Sequence, residues 1–316
     1  MNKIEIGYTF PLTQNREERM NNKTKGIVLG IIGESGYGTN PLFTLPLYSA
    51  GLSSNDVLFY RYLFAIILYG LWTTFYKKVS LKISFKEACY LLPLGLVFAT
   101  SSLTLFVSYR YMDAGIASTL LFVYPIMVAV IMTVFFKEKM TLSTILAIIL
   151  TSAGVWLLYN GKGNEKLNMT GIILIFFSAL SYALYMIWIK KLPALQNMND
   201  AKLTFYVMTF GGLLFVGQAL MEGGISPIGT PFNLGCLICM AIFPTIVALE
   251  TLTISIRLIG PTIAAVLGAF EPLTALVIGV CVFNEQMTPR IVSGILLILG
   301  AVTGVVVAGE KSKTKV

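Results

Sequence analysis

Glu271 sits near the midpoint of the apolar run Gly260 to Phe283. At ~1.5 Å rise per residue this run is long enough to cross a ~30 Å hydrocarbon core. A carboxylate at that depth is costly unless water or a partner meets it, so its chemistry is the binding of a cation or the carriage of a proton. Pro272 follows at once. Its missing N–H and its ring interrupt the helix ladder back to Gly268, which is expected to free backbone carbonyls beside the acid. Three more ionisable residues, Glu34, Arg61 and Glu250, fall inside apolar stretches. Glu34 stands among Ser35, Gly36, Tyr37, Gly38, Asn40 and Pro41, a polar and helix-weakening cluster that lipid would not tolerate. Arg61, near the end of its stretch, either snorkels to the interface or serves as counter-ion to Glu34 or Glu271. Glu250, with Thr245, Thr251 and Thr253 nearby, reads either as part of an inner gate or as a structural hydrogen-bond network. Ser178, Tyr182 and Tyr185 share one helical face, and the two rings are deep enough to line a cavity.

The segment around Glu271 occurs twice. At an offset of 147, Arg257 falls on Arg110, Pro272 on Pro125, Phe283 on Phe136, Glu285 on Glu138, Met287 on Met140 and Thr288 on Thr141. A period near half the chain length argues for two related halves, and Tyr124 then occupies the place of Glu271. A phenol in one half and an acid in the other break the symmetry where selectivity needs it.

Ten apolar spans carry these residues, at roughly 26–48, 56–76, 88–109, 115–136, 143–160, 171–190, 202–221, 233–255, 260–283 and 291–308. With the N-terminus inside, 18 Lys and Arg residues fall on the cytoplasmic side and four outside, with Arg61 left within a span. That bias sets the orientation and accounts for the net charge of +8. Each half holds five spans, an odd number, so the halves enter from opposite sides. The expected architecture is an all-α integral membrane protein of ten transmembrane helices, two inverted five-helix repeats around a central cavity, with both termini cytoplasmic. Its parts are a tail at 1–25, repeats at 26–160 and 171–308, and a second tail at 309–316.

Composition closes off other classes. The chain has 316 residues, 56% of them hydrophobic and 12% charged, with mean hydropathy +0.80, which no soluble domain sustains. Basic residues lie in short connectors rather than on one folded face, so no nucleic-acid partner is expected. Histidine is absent, so proton handling falls to carboxylates. Cys89, Cys236, Cys239 and Cys281 all lie in spans, and the lone CxxC at 236–239 has no second ligand pair, so no metal or other cofactor is expected. Gly26/Gly30 and Gly300/Gly304 suit close helix crossings, and leave monomer and homodimer both open.

The paired segments Asp113-Ala-Gly-Ile-Ala-Ser with Pro125 and Lys-Glu138-Lys-Met-Thr, and Gly260-Pro-Thr-Ile-Ala-Ala with Glu271-Pro272 and Asn-Glu285-Gln-Met-Thr, resemble the drug/metabolite transporter superfamily. More narrowly the chain is similar to its EamA-type ten-helix carriers, over about residues 25 to 308, with Gly26 and Gly171 opening the halves and Arg61 in the second span. The resemblance implies two inverted halves around a central cavity and export of small metabolites such as amino acids. Glu34-Ser-Gly departs from the apolar or Trp/Asn-rich sequence common there.

The reading is a secondary transporter of a small amine-bearing or zwitterionic metabolite, working by alternating access in a bacterial inner membrane. Glu34, Tyr37, Asn40, Arg61, Tyr124, Tyr182, Tyr185, Glu250 and Glu271 are expected to bind the solute. Proton coupling would have Glu271 take up a proton on one side and release it on the other. A lipid-like flippase and a passive facilitator are the alternatives. An enzyme would need a nucleophile or ligand set that is not apparent. No GxxxxGK[ST] motif occurs, which leaves a gradient or exchange as the energy source.

Overall fold

Lipid offers the backbone no hydrogen-bond partner, so each apolar stretch must satisfy its own N–H and C=O groups, and helices do this within one segment. A computed structural model describes residues 16–112, 117, 120–158, 168–283 and 288–311, and among them there are helices and no strand. The helices are α1 (Arg16–Tyr37), α2 (Asn40–Ser49), α3 (Ser54–Leu71), α4 (Phe85–Ser108), α5 (Tyr124–Phe136), α6 (Leu142–Leu158) and α7 (Met169–Lys191). They continue with α8 (Asp200–Met221), α9 (Pro231–Ala241), α10 (Ala248–Ile259), α11 (Pro261–Leu267), α12 (Phe270–Phe283) and α13 (Pro289–Lys311). Wider π-helical turns extend α3 over Trp72–Tyr76 and join α9 to α10 over Ile242–Val247.

Polar caps fix where these helices begin. Ser53 and Asp56 form a reciprocal box at the start of α3, and Ser84 and Glu87 form one at α4. Asn168, Asn199 and Thr230 cap α7, α8 and α9. Each places a side-chain oxygen on free N–H groups at a point where the helix ladder cannot serve them.

Among the described residues six helical stretches are long and apolar enough to cross a membrane: Ser54–Tyr76, Phe85–Ser108, Met169–Lys191, Asp200–Met221, Pro231–Ile259 and Pro261–Val282. Tyr124–Phe136, Leu142–Leu157 and Pro289–Val302 are apolar but shorter. The outward faces carry exposed large apolar side chains such as Ile126, Val130, Val134, Ile149 and Leu296, a surface suited to lipid.

Two details differ from the sequence expectation. Residues 16–25 are helical and continue into α1, where a polar tail was expected. The first apolar stretch is not one helix but breaks at Gly38–Thr39. A Cβ at Gly38 would run into the Glu271 carbonyl and the Thr274 side chain, so α1 ends where it presses on the first turn of α12. Asp113–Gly115, part of the motif that follows α4, and Glu285 lie outside the described residues.

The packing partners exchange when the first half of the chain is swapped for the second. α1 lies along α10 as α7 lies along α4. α3 meets α9 as α8 meets α4, and α5 touches α7 as α11 and α12 touch α1. The pairs α6–α13, α3–α8 and α5–α11 map onto themselves.

Bare backbone permits the closest of these crossings. A Cβ at Gly95 in α4 would lie 2.8 Å from both the Gly211 nitrogen and the Val207 carbonyl of α8. Backbone atoms cannot give way as a side-chain tip can. Gly95→Val is therefore expected to cost about 1–3 kcal/mol of stability, read as a lower melting temperature in detergent. Gly235→Val, at a site with nothing within 4 Å, should melt like the parent; equal melting of the two variants would contradict this packing.

Candidate functional site

The turns that precede Pro125 and Pro272 fall within one residue of each other at the offset of 147. In the second half, α11 stops at Leu267, Gly268 and Ala269 form a turn, and Glu271 and Pro272 fall in the first turn of α12. In the first half, Phe122 and Val123 form the turn, and Tyr124 and Pro125 open α5. Proline at this position suits a helix start, because its missing N–H is one that the ladder would not use. The Gly268 carbonyl, expected to be free, accepts the Glu271 N–H at 3.1 Å. The interruption therefore satisfies itself, and the acid's side chain is the polar group left over.

Gly268 also brings the halves together. A Cβ there would collide with the Tyr124 hydroxyl, so the phenol of one half rests on the break in the other. Tyr124 meets Tyr182 of α7 edge to face, with ring centroids 4.8 Å apart, and Tyr37 of α1 meets Tyr182 at 6.2 Å in the same manner. Tyr185 stacks on Tyr182 at 6.3 Å and leans on Phe98 at 4.8 Å. The hydroxyls of Tyr37, Tyr124, Tyr182 and Tyr185 are buried and make no hydrogen bond of good geometry, that of Tyr185 lying beside Thr253. Four buried phenols in that condition are uncommon in a packed protein, where such groups are nearly always paired.

Glu34 faces the same cluster. It is 0% exposed, and neither carboxylate oxygen has a hydrogen-bond partner. The Tyr182 hydroxyl lies beside it but outside hydrogen-bond geometry. Glu271 lies within Coulombic reach of Glu34, and both act on Tyr124 and Tyr182. The Glu271 side chain is partly exposed and takes no hydrogen bond or ion pair among the described residues. Two acids therefore share a low-dielectric region with acceptor-rich neighbours, an arrangement that calls for a cation or protons.

Arg61 does not snorkel. It is 1% exposed, and its donors go to three acceptors: Nε to Thr245 Oγ1 at 2.6 Å, Nη1 to Asn40 Oδ1 at 3.2 Å, and Nη2 to the Pro244 carbonyl at 2.7 Å. The Phe106 ring lies 5.8 Å from the guanidinium carbon. Arg61 makes no ion pair among the described residues, although its charge and that of Glu271 act on each other. The π-helical turn at Ile242–Val247 is what presents the Pro244 carbonyl and Thr245 to it. From the sequence Thr245 was noted only as a neighbour of Glu250, and Pro244 was not singled out; Pro244 inside a long apolar span was the available signal.

Glu250 is engaged elsewhere. It forms an ion pair with Lys77, beside Tyr69, whose ring lies 5.6 Å from the Lys77 nitrogen. The structure thus brings Glu34, Tyr37, Tyr124, Tyr182, Tyr185 and Glu271 together, places Asn40 and Arg61 in an adjoining clamp, and ties Glu250 to a lysine at the end of the extended α3.

Comparison with known proteins follows the same lines. The model of the EamA-like transporter family matches residues 24–160 and 169–307. The chain is similar to the uncharacterized transporter YwfM of Bacillus subtilis, 25% identical over 190 residues, 60% of this chain and 63% of that protein. It is also 25% identical over 233 residues to the uncharacterized transporter YvbV of the same organism, covering 71% and 73%, and 26% identical over 225 residues to the uncharacterized inner membrane transporter YicL of Salmonella typhimurium, covering 69% and 72%. The match to YwfM thus spans less than two thirds of that relative's length. A solved crystal structure superposes with a TM-score of 0.75 at 13% identity, covering 94% of this chain and 99% of its own, which speaks to fold alone.

The Arg61 clamp makes a direct prediction. Arg61→Lys keeps the charge but cannot serve three acceptors in one plane, and hydrogen bonds to a charged donor are worth about 1.5–3 kcal/mol each. Melting in detergent should fall by the equivalent of about one such bond or more, and Thr245→Val should fall less. Unchanged melting of Arg61→Lys would mean that the clamp does not hold α2, α3 and the α9–α10 junction together.

Proposed function

The chain belongs to the EamA-like transporter family, and from that footing we propose that it is a secondary carrier moving a small amine-bearing or zwitterionic solute by alternating access. Membership makes it a multi-pass membrane transporter of small molecules. The finer reading adds ten membrane-crossing segments in two inverted five-segment repeats, at 26–160 and 171–308, with both termini in the cytoplasm of a bacterial cell and outward export. Its supports are the exchange of packing partners between halves, the matched helix breaks at Tyr124 and Glu271 and the Lys and Arg bias of the connectors.

One observation carries the reading: two acids, Glu34 and Glu271, converge with four unpartnered tyrosines where helices of both halves meet. A site of that composition exceeds what packing requires. Its position between the halves lets rocking of one half against the other expose it to each side in turn.

The ends of the molecule differ in a way that suits such rocking. All four ion pairs among the described residues lie on or beside the connectors assigned to the cytoplasm: Lys77–Glu250, Arg257–Asp200, Lys202–Glu87 at 3.1 Å and Lys191–Glu138 at 3.8 Å. The opposite end is tied by hydrogen bonds, such as the Ser226 N–H to Asp56 at 2.9 Å and Tyr60 to the Ser226 carbonyl at 2.9 Å. This conformer is therefore read as latched on the inside, with Glu250 in the latch. Opening inward means parting those pairs, of which Lys191–Glu138 is the most exposed and Arg257 is held further by the Met198 and Leu195 carbonyls.

Coupling to protons is assigned to Glu271, the acid of the pair that is not fully buried. Full-length protein in proteoliposomes, supplied with labelled amines and amino acids, should show saturable uptake and counterflow. Glu271→Gln should lose pH-gradient-driven accumulation by about tenfold or more while downhill exchange survives, because an amide holds the site's shape but carries no proton. Unchanged accumulation would remove Glu271 from the coupling step.

A further inference from the structure

A second group of buried polar atoms without partners leads away from the central cluster. Resting on the carrier reading above, we infer that the limb of the solute path toward the ion-paired end runs between α3, α7, α8 and α10. Tyr69, Thr73, Thr204, Thr253 and Arg257 line it.

A threonine inside a helix commonly returns its hydroxyl to the carbonyl one turn back. Thr100, Thr151, Thr209 and Thr251 do so. Thr73, Thr204 and Thr253 do not, although each is 0% exposed. The Tyr69 hydroxyl and Arg257 Nε are buried and idle as well. Such groups are costly to leave unpaired, and close packing alone gives no reason to gather five of them on neighbouring helices.

Their placement is continuous with the central cluster. Tyr185 lies beside Thr253 and within Coulombic reach of Arg257. Glu250, Thr253 and Arg257 stand at i, i+3 and i+7 of α10, on one face of that helix. Glu250 pairs with Lys77 and lies beside Tyr69, which in turn neighbours Thr73 of the π-helical turn. Asp200, the partner of Arg257, opens α8, and Thr204 follows one turn later on the same side. The route therefore starts at Tyr185, passes the idle hydroxyls and ends at the pairs Lys77–Glu250 and Arg257–Asp200. Parting those pairs frees Glu250 and Asp200 to meet the ammonium of the solute. Hydroxyls donate and accept alike, so along the way they can stand in for water around a passing charge without fixing it.

The test reads solvent access in the full-length protein, purified in detergent, with its four native cysteines replaced by alanine. Thr73→Cys, Thr204→Cys and Thr253→Cys keep nearly the original side-chain size. Val207→Cys is the control, a 0% exposed position of α8 whose backbone packs on Gly95 of α4. Labelling with ethylammonium methanethiosulfonate is followed by mass spectrometry, and melting of each variant shows that it folds. Adding Glu250→Gln and Asp200→Asn should speed labelling at the three threonine positions about threefold or more, the scale expected for parting partly exposed ion pairs. Val207→Cys should not respond. Threonine positions that stay unlabelled, or that respond no more than Val207→Cys, would overturn the proposal. Saturable phenethylamine uptake in proteoliposomes separates it from the carrier reading. The expected labelling without such uptake keeps a wetted limb and removes the carrier; uptake with unlabelled threonine positions does the reverse. Where both occur, the adduct at Thr204→Cys should stop uptake, and unaltered uptake would place the path elsewhere.

Discussion

Hydrocarbon supplies neither donors nor acceptors, so every polar group in the membrane-embedded part of this chain must find its partner within the protein. Most do. Helix starts are closed by Ser53, Ser84, Asn168 and Asn199. The break before Glu271 is closed by its own N–H on the Gly268 carbonyl, and three of the five N–H groups of Arg61 reach acceptors. Other buried polar atoms, among them those of Thr44, Tyr69, Thr73 and Thr204, also lack a partner, but the idle oxygens of Glu34 and the idle hydroxyls of Tyr37, Tyr124, Tyr182 and Tyr185 gather in one place.

The geometry that assembles this region is inseparable from the duplication. A helix broken beside the candidate residues lets its backbone approach a neighbour closely, and both halves use the device. Gly268 admits the Tyr124 hydroxyl, and Gly38 admits the first turn of α12. The two halves contribute different side chains at the equivalent place, an acid in one and a phenol in the other. The resulting site has a polarity that two identical halves would lack. The ion pairs among the described residues gather beside the connectors that carry most of the Lys and Arg, a second asymmetry on the same frame.

Much of this was legible in the sequence because lipid makes polar residues conspicuous. Glu271 and Glu34 could be found as acids in apolar runs, Tyr124 through the offset of 147, and Tyr182 and Tyr185 through their helical spacing. Helix positions followed from hydropathy alone to within a few residues for α3, α4, α7 and α8. Partners were harder. Glu250 looked like Glu34 in composition, but it meets Lys77, a residue 173 positions away, because α3 packs against α9 and the π-helical turn that leads into α10. Arg61 was read as snorkelling or paired with an acid; its acceptors depend on a π-helical turn that no periodicity reveals. The helical 16–25 segment was missed because its charges suit water, and helicity there leaves no apolar stripe to read.

The central claim is that Glu34 and Glu271 are the groups that receive the cation. Infrared difference spectroscopy of the full-length protein with and without phenethylamine reads the carboxyl bands directly. The account predicts binding-induced carboxyl bands that lose one component in Glu34→Gln and another in Glu271→Gln. A difference spectrum that neither substitution alters, in protein shown to bind the amine, would contradict it.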